Sequence, residues 1–488
     1  MNAYPANRKW ITPPIWLLVS ICAGSVVAAV LATASAGSFW MAGLVAAGVI
    51  FSIAVFCCPD LGIISALIIA GVGGQLLRAV GLATSSDGDI SLASIGALGV
   101  LAVTLVAIWV RPAARARARA LVRYSLPAWG ALGLVVWNAL VALFGWRQHG
   151  LFAALTDADW VLWIGFWFAV CLSPSRRLAM RSVSTVYILA TWLATSGFVR
   201  LVQDSGSFLS TGGSRYVPGS ASLIIAAGLV ASASMLLEKR ARWKPLIAVI
   251  AAAQLGGVLI SFNRQTWVAL LAAGVFGFFT LYRGKRMVSV TMAVLAGILL
   301  IGLWTSGLLP AQLQDTLYKR VGGGSIETLL RDPSVQYRLS AWKTAIEGTL
   351  ASPIIGQGWG SPFWFTRITG TGHIQWVNVS PHNTYLWLAF KSGLPSLVVF
   401  VTLNAILLLR AVSAHRRALP VDASLSMLLK ATIMAQVVFL VGALWWDYLS
   451  IMYLSVPIWV NSALLAVLAG TTPQPHDENR RHPTATIA

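Results

Sequence analysis

Residues 384–410 read TYLWLAFKSGLPSLVVFVTLNAILLLR, and this stretch decides the fold. A helix needs roughly 20 predominantly apolar residues to cross the hydrocarbon core of a bilayer. The run from Thr384 to Leu409 meets that length and stops against Arg410, Arg416 and Arg417. On its other side stands a polar cluster, Ser380-Pro381-His382-Asn383. The stretch therefore reads as a spanning helix with a basic loop at one end and a polar, histidine-bearing loop at the other. Runs of the same kind recur at 15–34, 39–58, 61–80, 90–110, 126–146, 158–174, 182–202, 217–237, 245–261, 265–282, 287–309, 428–446 and 449–470. The expected fold is an all-α integral membrane protein, a polytopic helical bundle of about 12–14 spans.

Composition agrees. Of 488 residues, 57% are hydrophobic and 10% charged, with a mean hydropathy of +0.77. A soluble domain is about a quarter charged. The net charge of +20 would suggest nucleic acid on a soluble protein. Here it fits basic loops against an anionic inner leaflet, so the expected partners are membrane lipids and no nucleic acid. Cys22, Cys57, Cys58 and Cys171 lie in or at the ends of apolar runs and lack metal-ligand spacing. They read as small buried hydrophobes, with no disulfide and no metal site expected.

Charge sets the orientation. With the N-terminus in the cytoplasm, the inside segments carry Arg8 and Lys9, the arginines from Arg111 to Arg123, Arg176 to Arg181, Lys239 to Lys244, Arg283 to Arg286, Arg410 to Arg417, and Arg480 with Arg481. The short outside loops carry only Arg147, Arg215 and Arg264. Arg8 and Lys9 before a long first run read as an anchor rather than a cleavable signal. The expected organisation is a cytoplasmic N-terminus (1–14), transmembrane helices 1–11 (15–309), a large periplasmic loop (310–383), transmembrane helices 12–14 (384–470) and a cytoplasmic disordered tail (471–488). The setting is a bacterial inner membrane, with both termini cytoplasmic and any chemistry on the periplasmic side.

The long loop has structure of its own. Asp332 can cap a helix with Pro333 at its first position. Val335, Leu339, Trp342 and Ile346 recur on one helical face. Gly356, Gly358 and Gly360 follow with Trp359, Phe363, Trp364 and Phe365. The reading is an amphipathic helix and aromatic loops lying at the outer membrane surface.

Chemistry on that side rests on arginines and one histidine. Arg264 sits in the tight turn Ser261-Phe262-Asn263-Arg264, where a charge so near hydrocarbon is costly and by default functional. Arg215 lies in the glycine-rich Gly212-Gly213-Ser214-Arg215 segment. Arg338 lies at the edge of the amphipathic helix's apolar face, and Arg200 and Arg78 near outer ends of spans, where snorkelling is the plainer account. Guanidinium groups bind phosphate through paired, charge-assisted hydrogen bonds, so this set suits a lipid-linked diphosphate. Diphosphate is already a good leaving group and needs charge stabilisation more than a strong acid. His382 could take a proton from an attacking sugar hydroxyl. The acids counted as outer, among them Asp157, Asp159 and Glu347, do not cluster in sequence as a Mg²⁺ site requires, so no cofactor and no metal is expected.

The order of motifs resembles the O-antigen ligase/polymerase superfamily. The residues that carry the resemblance are Asp332-Pro333-Ser334, Arg338, Trp342, Pro353-Ile354-Ile355-Gly356-Gln357-Gly358-Trp359-Gly360, His382-Asn383-Thr384-Tyr385-Leu386 and Gly393-Leu394. It spans roughly 211–400, and Arg264 and Arg215 stand where that family has loop arginines. Phe262-Asn263 and Ser396 depart from its usual pattern. The resemblance implies a metal-independent, inverting glycosyltransferase of the GT-C class. Such an enzyme takes glycan from undecaprenyl diphosphate and passes it to an acceptor glycan or lipid A-core, making O-antigen or exopolysaccharide. It further implies that Arg215, Arg264 and Arg338 hold the diphosphate and that His382 is base or phosphate ligand. Asn383, Arg200, Trp342 and Tyr385 are accessory candidates. A protein O-oligosaccharyltransferase is a branch of the same family. The alternative from another class is a lipid-linked oligosaccharide flippase or other transporter, against which stands the absence of any internal repeat in the sequence.

Overall fold

The computed structural model describes residues 48, 50–70, 92–203, 217, 221–238, 243–261, 263–281, 333–368, 374–447 and 452–471. The expected runs 15–34 and 287–309, half of 39–58, half of 61–80 and the terminal segments lie outside these residues. What is described is a helical bundle with one two-stranded ribbon. In chain order the helices are α1 (Pro59–Ile68), α2 (Leu92–Trp109), α3 (Pro112–Tyr124), α4 (Leu126–His149), α5 (Leu151–Asp157), α6 (Trp160–Leu172), α7 (Arg176–Gln203), α8 (Ala221–Leu236), α9 (Lys244–Ile260), α10 (Arg264–Thr280) and α11 (Pro333–Ala351). There follow the antiparallel strands β1 (Trp364–Ile368) and β2 (Ile374–Asn378), then α12 (Thr384–Ala418), α13 (Ala423–Gly442) and α14 (Met452–Gly470).

The chain is a multi-pass membrane protein. α4, α7, α12 and α13 are long and apolar enough to cross a bilayer. The pairs α2–α3 and α5–α6 reach that length only as bent units, turning by 97° and 46°. α8 and α9 are apolar but shorter, and at 1.5 Å per residue their 16 and 17 residues span about 25 Å. The outer surface is apolar rather than charged: Val249, Leu271 and Leu409 are largely exposed, which suits lipid and not water.

Small residues let the helices approach. A Cβ on Gly228 would meet Ala190, and one on Gly257 would meet Ala194, so α8 and α9 pack on α7 at glycine–alanine contacts. α8 is buried along nearly its whole length and also packs on α13. Inside the bundle Gln436 Nε2 donates to Asn404 Oδ1 and to Ser462 Oγ, both at 2.8 Å. Asn461 Nδ2 donates to Gln436 Oε1 at 2.8 Å, so this network ties α12, α13 and α14 together with its polar groups satisfied.

The run 384–409 is not one straight helix. Gly393 has φ 78° and ψ 174°, and Pro395 follows it, so α12 breaks into 384–392 and a longer second part. The break is filled by the loop after α11. The amides of Gln357 and Gly358 donate to the carbonyls of Phe390 (2.7 Å) and Lys391 (3.0 Å), and the Leu394 amide donates back to Pro353 O (2.8 Å). The carbonyls freed by the kink are therefore satisfied within protein, the condition for a broken helix at membrane depth.

One expectation changes here, and the packing of α11 is added to another. Trp359, Phe363 and Phe365 do not lie on the outer surface; they are wholly buried in the bundle, with Trp359 Nε1 donating to Asn138 Oδ1 of α4 at 3.2 Å. The α11 face that packs inward is the small one, Ala341, Ala345 and Thr349, whereas Leu339 and Ile346 of the expected apolar face are exposed.

Candidate active site

His382 stands at the entrance of α12, and its surroundings come from three segments. α11 contributes Tyr337, whose ring lies 5.9 Å from the imidazole, and Arg338, whose charge bears on it. The turn after α13 contributes Trp446, edge-on at 6.0 Å. Trp342 of α11 anchors the approach by donating its Nε1 to Pro381 O at 3.1 Å. His382 itself has φ 51°, the left-handed region that few residues other than glycine occupy. Strain of that kind costs on the order of 1–3 kcal/mol and persists only where the surroundings impose it.

The next three residues show what imposes it. Asn383 is the N-cap of α12, its Oδ1 accepting from the Leu386 amide at 3.0 Å. The Thr384 amide donates to Ala443 O (2.9 Å) and its hydroxyl to Trp446 O (2.7 Å). Tyr385 sends its hydroxyl to Leu440 O at 2.7 Å. Asn383 and Tyr385, expected as accessory groups, thus hold the helix start in two ways: Asn383 caps α12 from within, and Tyr385 ties its first turn to α13.

Burial and the neighbouring Arg338 charge push the His382 pKa down from 6.5 to about 4. The imidazole is neutral at pH 7, so one of its ring nitrogens carries no proton.

Arg264 opens α10 behind the N-cap Asn263. Asn263 Nδ2 donates to Ser222 Oγ of α8 (3.1 Å) and to Thr266 Oγ1 (3.0 Å), which locks the turn. Arg264 Nε is buried and has no hydrogen-bond partner among the described residues. α10 packs on α13, the helix whose end also holds Thr384, so α13 is the common neighbour of the arginine turn and of α12. Arg215 lies outside the described residues, upstream of α8. Arg200 is exposed at the end of α7, and among the described residues no hydrogen bond or ion pair joins it to the His382 cluster.

One group escaped the sequence reading. Lys391, in the middle of the 384–409 run, is 1% exposed and pairs with Asp157 of α5, whose side chain is 31% exposed. Its Nζ also donates to Ser361 O and lies 4.3 Å over the Trp387 ring. Asp157 accepts the Gly360 amide at 2.9 Å as well. Asp447 bears electrostatically on Lys391 as well, and Asp159 feels both Asp157 and Asp447, so two acids act on the lysine and a third acts on those two. A lysine inside an apolar run, followed by Gly393 and Pro395, was the available signal.

A helical membrane bundle in which an imidazole and one arginine, Arg338, meet at the entrance of a helix is what these observations define. Residues 248–401 match the family model described as O-Antigen ligase. The matched segment runs from α9 into α12 and includes Arg264, Arg338, Trp342, His382, Asn383 and Tyr385. Over this segment the chain is similar to the O-antigen ligase family, in agreement with the resemblance read from its motifs. A comparison with curated proteins finds no match.

Proposed function

We propose that the protein transfers a glycan from undecaprenyl diphosphate to a sugar hydroxyl at the periplasmic face of a bacterial inner membrane, as a polysaccharide polymerase or an O-antigen ligase. The observation that carries this reading is Arg338 beside a neutral His382 inside the family-matched segment. In the reaction the acceptor oxygen attacks the anomeric carbon on the face opposite the diphosphate. The carbon–oxygen bond to phosphate breaks, and undecaprenyl diphosphate leaves with the electron pair. The acceptor proton passes to the free imidazole nitrogen of His382. Arg264, Arg338 and Arg215 take up the charge on the leaving group through their guanidinium forks.

A pKa of about 4 makes the free-enzyme imidazole a weak base. Donor binding corrects this. A unit negative charge at ~6 Å and an effective dielectric of ~20 is worth roughly 3 kcal/mol, about two pKa units. The bound diphosphate therefore offsets both the field of Arg338 and much of the burial, and His382 gains basicity only when the donor is in place.

The test is glycan transfer in membranes from a deletion strain complemented with His382→Ala, Arg264→Ala or Arg338→Ala at matched expression. Each should lose transfer and accumulate undecaprenyl-linked repeat units. Full activity in both the His382 and Arg264 variants would defeat the reading. In the deletion strain itself, a lost polymerase leaves one repeat attached to its acceptor and a lost ligase leaves none.

A further inference from the structure

The part of α12 between Thr384 and Gly393 touches almost no surroundings but protein: Trp387, Leu388, Ala389, Phe390, Lys391 and Ser392 are all buried. Past the break the pattern changes at once. Leu394, Val398, Val401 and Leu409 are exposed along one stripe, the flank a spanning helix turns to lipid. The stripe does not end at Leu394. The Leu394 amide is bonded to Pro353 O, and next to Pro353 come Ile354, 64% exposed, and the exposed Ile355. From there it continues up α11 through Leu350, 71% exposed, Ile346 and Leu339.

α11 has three sectors that explain this course. Ala341, Ala345 and Thr349 face the bundle, and Gly348 is set so close that a Cβ there would meet the Phe390 ring of α12. Leu339, Ile346 and Leu350 form the exposed apolar sector. Beside it Lys343 and Glu347 make a solvent-exposed pair at 3.8 Å. A helix wholly in water would not expose the first set, and one wholly in hydrocarbon would not expose the second.

We infer that α11 lies in the outer leaflet, with Leu339, Ile346, Leu350 and Ile354 in the acyl region, and takes over from α12 the lipid-facing position beyond Gly393. The occupant of the stripe is the bilayer itself, because the stripe is continuous with the lipid flank of α12. α11 then sheathes 384–392, so His382 and Arg338 sit at headgroup depth with lipid only one helix away. A diphosphate carried on a lipid reaches that depth laterally. The inference rests on the membrane fold and on the proposed orientation, and its test does not use the reaction.

Single cysteines at Leu350, Ile346 and Glu347, in the full-length protein with its four native cysteines replaced by alanine, are spin-labelled and reconstituted in phosphatidylethanolamine–phosphatidylglycerol bilayers. Collisions with oxygen and with a water-soluble nickel chelate are then measured. Labels at 350 and 346 should meet oxygen several-fold more than nickel, and the label at 347 the reverse. Nickel access at 350 and 346 equal to that at 347 would put α11 in water and overturn the inference. Shielding of 350 and 346 from both reagents would overturn it too, since protein then covers the stripe. Spin–spin broadening there would identify that protein as a second copy. Glycan transfer by the unlabelled cysteine variants, assayed separately, reports on the proposed reaction and is unaffected by either result.

Discussion

Asn383 and Asp422 cap α12 and α13 in the same way. Each accepts a hydrogen bond from the amide three residues on, both at 3.0 Å, with similar extended backbone angles. They stand at opposite ends of the bundle, and there the likeness stops. Asp422 meets Arg176 in a paired contact at 2.7 and 2.9 Å, and both side chains are a third to a half exposed. Arg416 and Arg417 close α12 at this end. At the other end Asn383 is buried, the residue before it is a strained histidine, and the ion pair of the region is sunk beneath Ser361 and Trp387. One end is held by solvated contacts that can be exchanged cheaply. The other is held by buried polar groups, each of which depends on its partner.

The largest test of that difference compares the two ion pairs. Asp157→Ala strands an ammonium group in a site that is 1% exposed, with Asp447, the Ser361 carbonyl and the Trp387 ring left to meet it. Breaking a buried pair from one side costs about 3–5 kcal/mol. Arg176→Gln removes a half-exposed partner and should cost under about 1 kcal/mol. Unfolding in detergent micelles, followed by tryptophan fluorescence, measures both. Equal losses would show that the Lys391 end is as well solvated as the other. Adding Lys391→Met to Asp157→Ala should restore part of the loss, since no charge is then stranded.

The second contrast is in the residue before each cap, His382 against Val421. A histidine held at a pKa of about 4 favours the neutral form in the folded protein. Its contribution to stability is complete above 6.5 and is lost as pH falls toward 4. In kinetics the acid limb of kcat/KM, which reports the free enzyme, should lie near that low value. The limb of kcat, which reports the donor complex, should lie about two units higher if the diphosphate charge acts on the imidazole. Coincident limbs would remove the donor-induced rise in basicity while leaving His382 free to act as a phosphate ligand.

Gly393 divides the two halves of α12 and gives the third test. Its φ of 78° is strained for any side chain, and a Cβ there would sit 1.9 Å from Ile354 O. Gly393→Ala should cost about 2 kcal/mol and reduce transfer, because the half-helix bearing His382 must shift. Gly133→Ala in α4 is the control: its Cβ would meet nothing within 4 Å, and the change should be neutral or stabilise by up to about 1 kcal/mol. Matching losses at both positions would deny the hinge its special place.

Much of this was legible in the residues themselves. Hydropathy found the helices because a spanning run averages over its whole length, and the runs 126–146, 182–202, 384–409 and 428–446 fall on α4, α7, α12 and α13. The same averaging hid Lys391 and the break at Gly393, since one charge and one glycine barely lower the mean of so apolar a run. His382 and Arg338 were found as separate points, but their meeting depends on how α11 folds back on α12, a contact between segments 44 residues apart that no local pattern encodes. The face by which α11 packs on the bundle was not legible for a related reason. Large apolar residues mark the packed face when the alternative is water. Here the alternative is lipid, so Ala341, Ala345 and Gly348 pack and Leu339 and Ile346 do not. Trp359 and Phe363 likewise look like interfacial aromatics until the loop is seen to plug the kink.

The smallest effect on stability makes the finest distinction. Asn383→Ala and Asp422→Ala each remove one side-chain cap, and each should cost about 1 kcal/mol. On stability alone the two ends would look alike. Their effects on transfer should part. The Asp422 cap lies beside the basic residues Arg176 and Arg416, far along α12 from the imidazole, so its loss should leave transfer within about twofold of the parent at matched expression. The Asn383 cap sets where α12 begins, and the strained backbone of His382 is held by that start. Displacements of about 1 Å at a reacting group cost on the order of 100-fold in rate. Asn383→Ala should therefore lower kcat far more than it raises the donor KM. Asn383→Asp, which keeps the accepting oxygen, should recover most of the loss if the residue works as a cap and little if its amide touches the donor. A large defect in Asp422→Ala, or none in Asn383→Ala, would mean that the geometry of the His382 end is set elsewhere.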